Sequence, residues 1–141
     1  MHAHEKQRLD SSILIKDNHI ALAGSVAKAI KKVRERALFS KKIEVEVARV
    51  EDVLAAAKAG VDIIMMDNFS PKQIEKAIKL LKKAGFLGKI LLEASGGIKT
   101  ENIIEFASTG VDIVSLGEIT DSTRTLDISL EITKTRKKTN L

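Results

Sequence analysis

The chain has 141 residues, 44% of them hydrophobic and 30% charged, a formal charge of +5 at neutral pH, and no cysteine. That balance excludes a disordered chain, and the length fits one domain while falling short of a complete eight-unit β/α barrel. The lack of cysteine excludes disulfides, thiolate nucleophiles and most zinc chemistry, and the lack of a secretory core or of an apolar run near the ~18 residues of a membrane span points to the cytoplasm.

Residues 1–12 show no periodicity and read as an irregular N-terminus, in which His2 and His4 are solvated side chains rather than metal ligands. Ile13–Ile15 is the first strand; it runs into the polar "KDNH" and then a helix with the stripe Val26, Ile30, Val33 and Ala37. "IEVEV" at 43–47 alternates with period two, and helical composition over 51–59 stops at Gly60. The apolar run 63–66 is a third strand, with Met65 and Met66 as core filler. Ser70 and Pro71 stand where an N-cap and a first-turn proline belong, ahead of a stripe of Ile74, Ala77, Ile78 and Leu81 that ends at Gly85. Residues 90–92 give a fourth strand, 100–109 a helix and 113–116 a fifth strand. Leu126, Ile128, Leu130 and Ile132 alternate with polar residues as an extra C-terminal strand, and 134–141 is a basic tail.

The pattern is βα repeated, hence a parallel sheet with right-handed crossovers. "GVDIIMM" at Gly60 and "GVDIVSL" at Gly110 echo each other fifty positions apart. The fold expected is α/β: a partial, open TIM-like barrel over 13–133, with about five parallel strands and the extra strand. The lysines at 31, 32, 82 and 83 and the "KTRKK" tail read as solvated faces. Without Trp or Tyr to stack on bases, no nucleic acid is expected, and no membrane; a polyanionic small substrate remains open.

Active sites of such barrels lie at the C-terminal ends of the strands. Here those ends carry Lys16 with Asp17, Glu46, Asp67 with Asn68, Ser95-Gly96-Gly97, and Gly117. Alternation puts Glu44 and Glu46 on one face, away from the apolar helix-facing side, and pairs Glu93 with Ser95 in the same way. For Glu44 or Glu93 an ion pair closing the barrel is the competing reading, since buried carboxylates need a cation. The glycines suit backbone cradles for a phosphate, with the helix expected at Thr100 adding its dipole.

"LIKDNHI", "EVEV", "IIMMDNFSP", "LEASGGI", "TGVDIVSLG" and "LDISLEI" resemble, in order and spacing, the carboxyl-terminal part of the quinolinate phosphoribosyltransferase family. The resemblance covers the chain from Ile13 to Ile132. It implies transfer of phosphoribose from phosphoribosyl pyrophosphate to quinolinate, releasing pyrophosphate and CO2 in NAD biosynthesis. It also implies roles: Lys16 on substrate carboxylate or phosphate, Glu46 and Asp67 facing the ribose and its Mg2+, and Ser95, Gly96, Gly97, Leu116, Gly117 and Glu118 holding phosphate. Family members are longer and carry further arginines that grip quinolinate. Glu5 and Lys6 stand where they have a His-Arg pair, with His4 one place off, and Asp121 stands where a histidine is usual. The chain is therefore expected to be inactive alone, to form a homo-oligomer, and to need further sequence or a companion chain to complete its site. A sugar-phosphate isomerase or lyase, or a non-catalytic assembly fragment, are the alternatives.

Overall fold

The computed structural model describes residues 12–117. Five strands, β1 (Ser12–Ile15), β2 (Lys42–Val47), β3 (Ile63–Asp67), β4 (Leu91–Ser95) and β5 (Ile113–Val114), form one sheet in chain order, every pair parallel. Helices α1 (Asp17–Ala23), α2 (Val26–Arg36), α3 (Val50–Lys58), α4 (Pro71–Lys83) and α5 (Ile103–Ala107) make the crossovers. None is long and apolar enough to cross a membrane.

One apolar face of the sheet meets the helices. Ile15, Ile43, Val45, Val47, Ile64, Met66, Leu92 and Ala94 are buried with Ile30, Val53, Ala56, Ile74, Ala77 and Leu81 in a single core. Each fully buried aliphatic side chain contributes roughly 1.5–3 kcal/mol, so this layer fixes the strand register. The opposite face carries Glu44, Glu46, Asp67, Glu93 and Ser95. Register across the sheet runs Glu46 to Met65 to Glu93 to Ile113, and Asp67 lies opposite Ser95.

Local chemistry explains the punctuation. Ser70 accepts from the Gln73 amide while the Gln73 side chain accepts from Ser70 N–H, a capping box with Pro71 in the first turn. Ser25 caps α2 by accepting from Lys28 N–H.

Four boundaries differ from the sequence reading. The polar stretch after β1 is a helix, α1, where a strand end was expected: Asp17 and Asn18 each accept from the next residue's N–H, and His19 Nδ1 accepts from Lys16 N–H. These side chains satisfy first-turn donors that have no intrahelical partner. β4 starts at Leu91 and runs on through "EAS" to Ser95, because Ala94 continues the core-facing alternation after Leu92. α5 begins at Ile103, since the Asn102 side chain accepts from Lys99 N–H and donates to Gly97 O, holding 97–102 as a turn. Finally, β5 pairs only over Ile113–Val114, with flanking bonds from Asp112 N–H to Leu92 O and from Ser115 N–H to Ala94 O. The expected 126–132 strand, the 134–141 tail, Glu118, Asp121, His2, His4, Glu5 and Lys6 lie outside the described residues.

Candidate active site

Parallel pairing brings Lys16, Glu46, Asp67 and Ser95 to one end of the sheet, as the sequence reading placed them. Lys16 is the residue between β1 and α1, and Asp17 opens the helix. Glu46 is half-buried on β2, and Asp67 is the last residue of β3. Burial holds the Glu46 carboxyl above its ordinary value, the negative charges of Asp67 and Asp17 push the same way, and Lys16 opposes them. Three carboxylates and one lysine therefore share a field in which negative charge predominates.

One layer deeper, Glu44 and Glu93 are each 2% exposed. Ser12 donates to Glu44 Oε2 at 3.1 Å and Ser115 donates to Glu93 Oε1 at 2.5 Å, while Glu44 Oε1 and Glu93 Oε2 have no hydrogen-bond partner among the described residues. Burial raises the Glu44 pKa, and the charge on Glu93 adds to it. Among the described residues no lysine or arginine pairs with either, so the competing ion-pair reading finds no partner there.

The glycine loop follows β4. Ser95 and Gly96 are half-buried, Gly97 is exposed, and Gly96 and Gly97 have φ of 82° and 67°. The helix dipole expected behind them is not in place: α5 starts six residues past Gly97 and is five residues long. A phosphate here would meet the loop's backbone N–H groups without a helix N-terminus directly behind them. Leu116 and Gly117 follow β5 at the same end of the sheet, half-buried and exposed.

No group of three or more His, Cys, Asp or Glu able to hold a metal exists among the described residues. The donor set still suits Mg2+ shared with a ligand. Glu46 and Asp67 offer hard oxygen donors in a field short of positive charge, and Mg2+ is commonly held by one or two carboxylates plus substrate phosphates. Sequence reasoning missed Ser12 and Ser115 as partners of the buried glutamates. Both sit at inward alternation positions, Ser115 two residues past Ile113, which is the signal that could have found them.

Five parallel strands in one open sheet, with an acidic cluster and a glycine loop at their ends, define a partial β/α barrel domain. Residues 2–131 match the family model for the quinolinate phosphoribosyl transferase C-terminal domain, and the chain belongs to that family. It is 47% identical over 125 residues to the probable nicotinate-nucleotide pyrophosphorylase [carboxylating] of Methanothermobacter thermautotrophicus, an alignment covering 89% of this chain and 45% of that protein. It is 35% identical over 130 residues to the nicotinate-nucleotide pyrophosphorylase [carboxylating] of Homo sapiens, covering 92% and 43%. The crystal structure of NadC from Streptococcus pyogenes superposes with a TM-score of 0.72 at 46% identity, over 87% of this chain and 41% of that one. The chain thus spans less than half the length of these relatives.

Proposed function

We propose that this chain supplies the strand-end half of a quinolinate phosphoribosyltransferase site, acting in cytoplasmic NAD biosynthesis as a homo-oligomer, with further sequence or a companion chain completing the site. The carrying observation is the cluster in which Glu46, Asp67 and Asp17 outnumber Lys16 in one field, beside the Ser95–Gly97 loop. In the proposed reaction the quinolinate nitrogen bonds to ribose C1 as the bond from C1 to pyrophosphate breaks; the carboxylate next to that nitrogen then leaves as CO2, and the ring carbon that keeps the electron pair takes up a proton from solvent. Glu46 and Asp67 face the ribose, where positive charge develops as pyrophosphate departs, and fixed carboxylates stabilise that charge. They would also hold Mg2+, which neutralises the departing pyrophosphate when bound. Lys16 binds a substrate carboxylate or phosphate, and Ser95, Gly96, Gly97, Leu116, Gly117 and Glu118 hold the 5′-phosphate.

Titration calorimetry with phosphoribosyl pyrophosphate and Mg2+ tests this reading. Binding is expected, with loss of roughly tenfold or more in affinity for Asp67→Asn, the scale of one lost charged contact. No heat from the native chain at millimolar ligand would overturn it.

A further inference from the structure

Asn68 has no part in the reaction just described, yet its conformation is the exception in the fold. Among the described residues it is the one non-glycine residue with positive φ, 55°. The left-handed region is disfavoured for L-residues and is best tolerated by asparagine and aspartate. Two hydrogen bonds account for its being held there. The Asn68 N–H donates to Ser95 O at 2.8 Å, crossing from the end of β3 to the end of β4. Its side-chain Nδ2 donates to Asp67 Oδ2 at 3.0 Å. A carboxylate only accepts, so the NH2 end of the amide faces Asp67 and the carbonyl end faces away.

That carbonyl end fills the space beside Gly96. A Cβ built on Gly96 would collide with Asn68 Oδ1 and Cγ and lie 2.9 Å from the Asn68 backbone nitrogen. Real Cβ contacts are essentially never that short, and Gly96 also has φ of 82°, so this position excludes a side chain twice over. Asn68 is therefore a wedge with Asp67 on one side and the glycine loop on the other.

We infer that Asn68 is a positioning residue that mechanically joins Asp67 to the Ser95–Gly97 loop, so that a ligand engaging the carboxylate also sets the geometry of the phosphate loop. The inference rests on the ligand roles proposed above for Asp67 and the loop; the joining itself is testable without any ligand.

The full 141-residue chain labelled with 15N provides the test. Asp67→Ala removes the acceptor and should shift the Gly96 and Gly97 amide resonances. In an Asn68→Gly background the same change should shift them several-fold less. Glycine tolerates the positive φ, so this variant should melt close to the native temperature while losing the coupling, which a merely structural role would not produce. Should Asn68→Gly fail to fold, Asn68→Ala serves instead: it removes both ends of the amide without placing a charge beside Asp67, and the same loss of coupling is expected. Equal shifts of Gly96 and Gly97 with and without the Asn68 amide would overturn the inference. With pyrophosphate and Mg2+ as probe, Asn68→Gly should weaken binding roughly tenfold relative to the native chain. Unchanged affinity would count against it, whereas absence of binding by the native chain would strike the proposed function and leave the resonance test to decide this point.

Discussion

Asp62 and Asp112, fifty positions apart, make the same bond: each carboxylate accepts from a backbone N–H of the preceding strand, Asp62 from Ile43 at 2.8 Å and Asp112 from Leu92 at 2.8 Å. Each also donates its own N–H to that residue's carbonyl at 2.9 Å. The repeated "GVDI" is thus a pair of clips fastening β2 to the start of β3 and β4 to the start of β5. Asp62 additionally pairs with Arg34 at 3.2 Å and Lys42 at 3.7 Å, both exposed.

Exposed ion pairs contribute little, whereas a charged acceptor on a part-buried amide is worth about 1.5–3 kcal/mol. Asp62→Ala and Asp112→Ala should therefore destabilise by similar amounts, about 2 kcal/mol each. Urea unfolding would check this. A loss confined to Asp62→Ala and abolished by salt would show that the ion pairs, not the amide clips, matter.

The stability of the fold should depend on Glu44 in a set direction. Burial and the neighbouring Glu93 hold its pKa above the ordinary 4.5, so between those two values the folded chain binds a proton that the unfolded chain has lost. Its stabilising contribution is complete below 4.5 and disappears as pH rises through the raised value. Glu44→Gln keeps an acceptor for Ser12 and adds a donor for Glu93. It should raise the denaturation midpoint more at pH 8 than at pH 4.5 and flatten the profile between. A native profile already flat over that range would refute the account.

Much of this was legible in the residues, for identifiable reasons. The core-facing alternation of Ile43, Val45 and Val47 is strict, so β2 and the inward direction of Glu44 and Glu46 follow from period two alone. Ser70, Pro71 and Gln73 spell out the start of α4. α1 was not legible because its three leading residues, Asp17, Asn18 and His19, are polar, and their role in bonding first-turn donors appears only once the turn exists. α5 was overextended because nothing in "KTEN" shows that Asn102 will tie back to Gly97 and Lys99. In the site, strand-end positions of Lys16, Glu46 and Asp67 followed from repeat logic. The wedge at Asn68 did not, since it depends on a close approach between two loops.

The purified 141-residue chain should form no nicotinate mononucleotide from quinolinate and phosphoribosyl pyrophosphate. Around Glu46 the one cation among the described residues is Lys16, set against Asp67 and Asp17. A dianionic pyridine substrate cannot be desolvated there without more positive charge, because burying unpaired charge costs several kcal/mol per ion. Turnover above a no-protein control, followed by absorbance of the product, would show that the chain assembles its own cationic pocket.

Among the described residues β1 and β5 each have a sheet neighbour on one side only. Unpaired strand edges invite another strand, and five parallel strands cannot close a barrel. Beside β1 the structure leaves a cavity of about 420 Å³ lined by Ile13, Leu14, Ile15, Leu22, Ala23 and Val33, with His19, Lys32 and Arg36 also lining it. Leu22 is 65% exposed at that edge. An apolar recess continuous with an open strand edge is a surface that a second chain covers more favourably than water does. We therefore expect a homo-oligomer at micromolar concentration, and Leu22→Asp should shift it toward monomer by placing an unpaired carboxylate in the contact. Sedimentation equilibrium distinguishes the outcomes: a monodisperse monomer with native circular dichroism would show that the chain covers the β1 edge with its own residues.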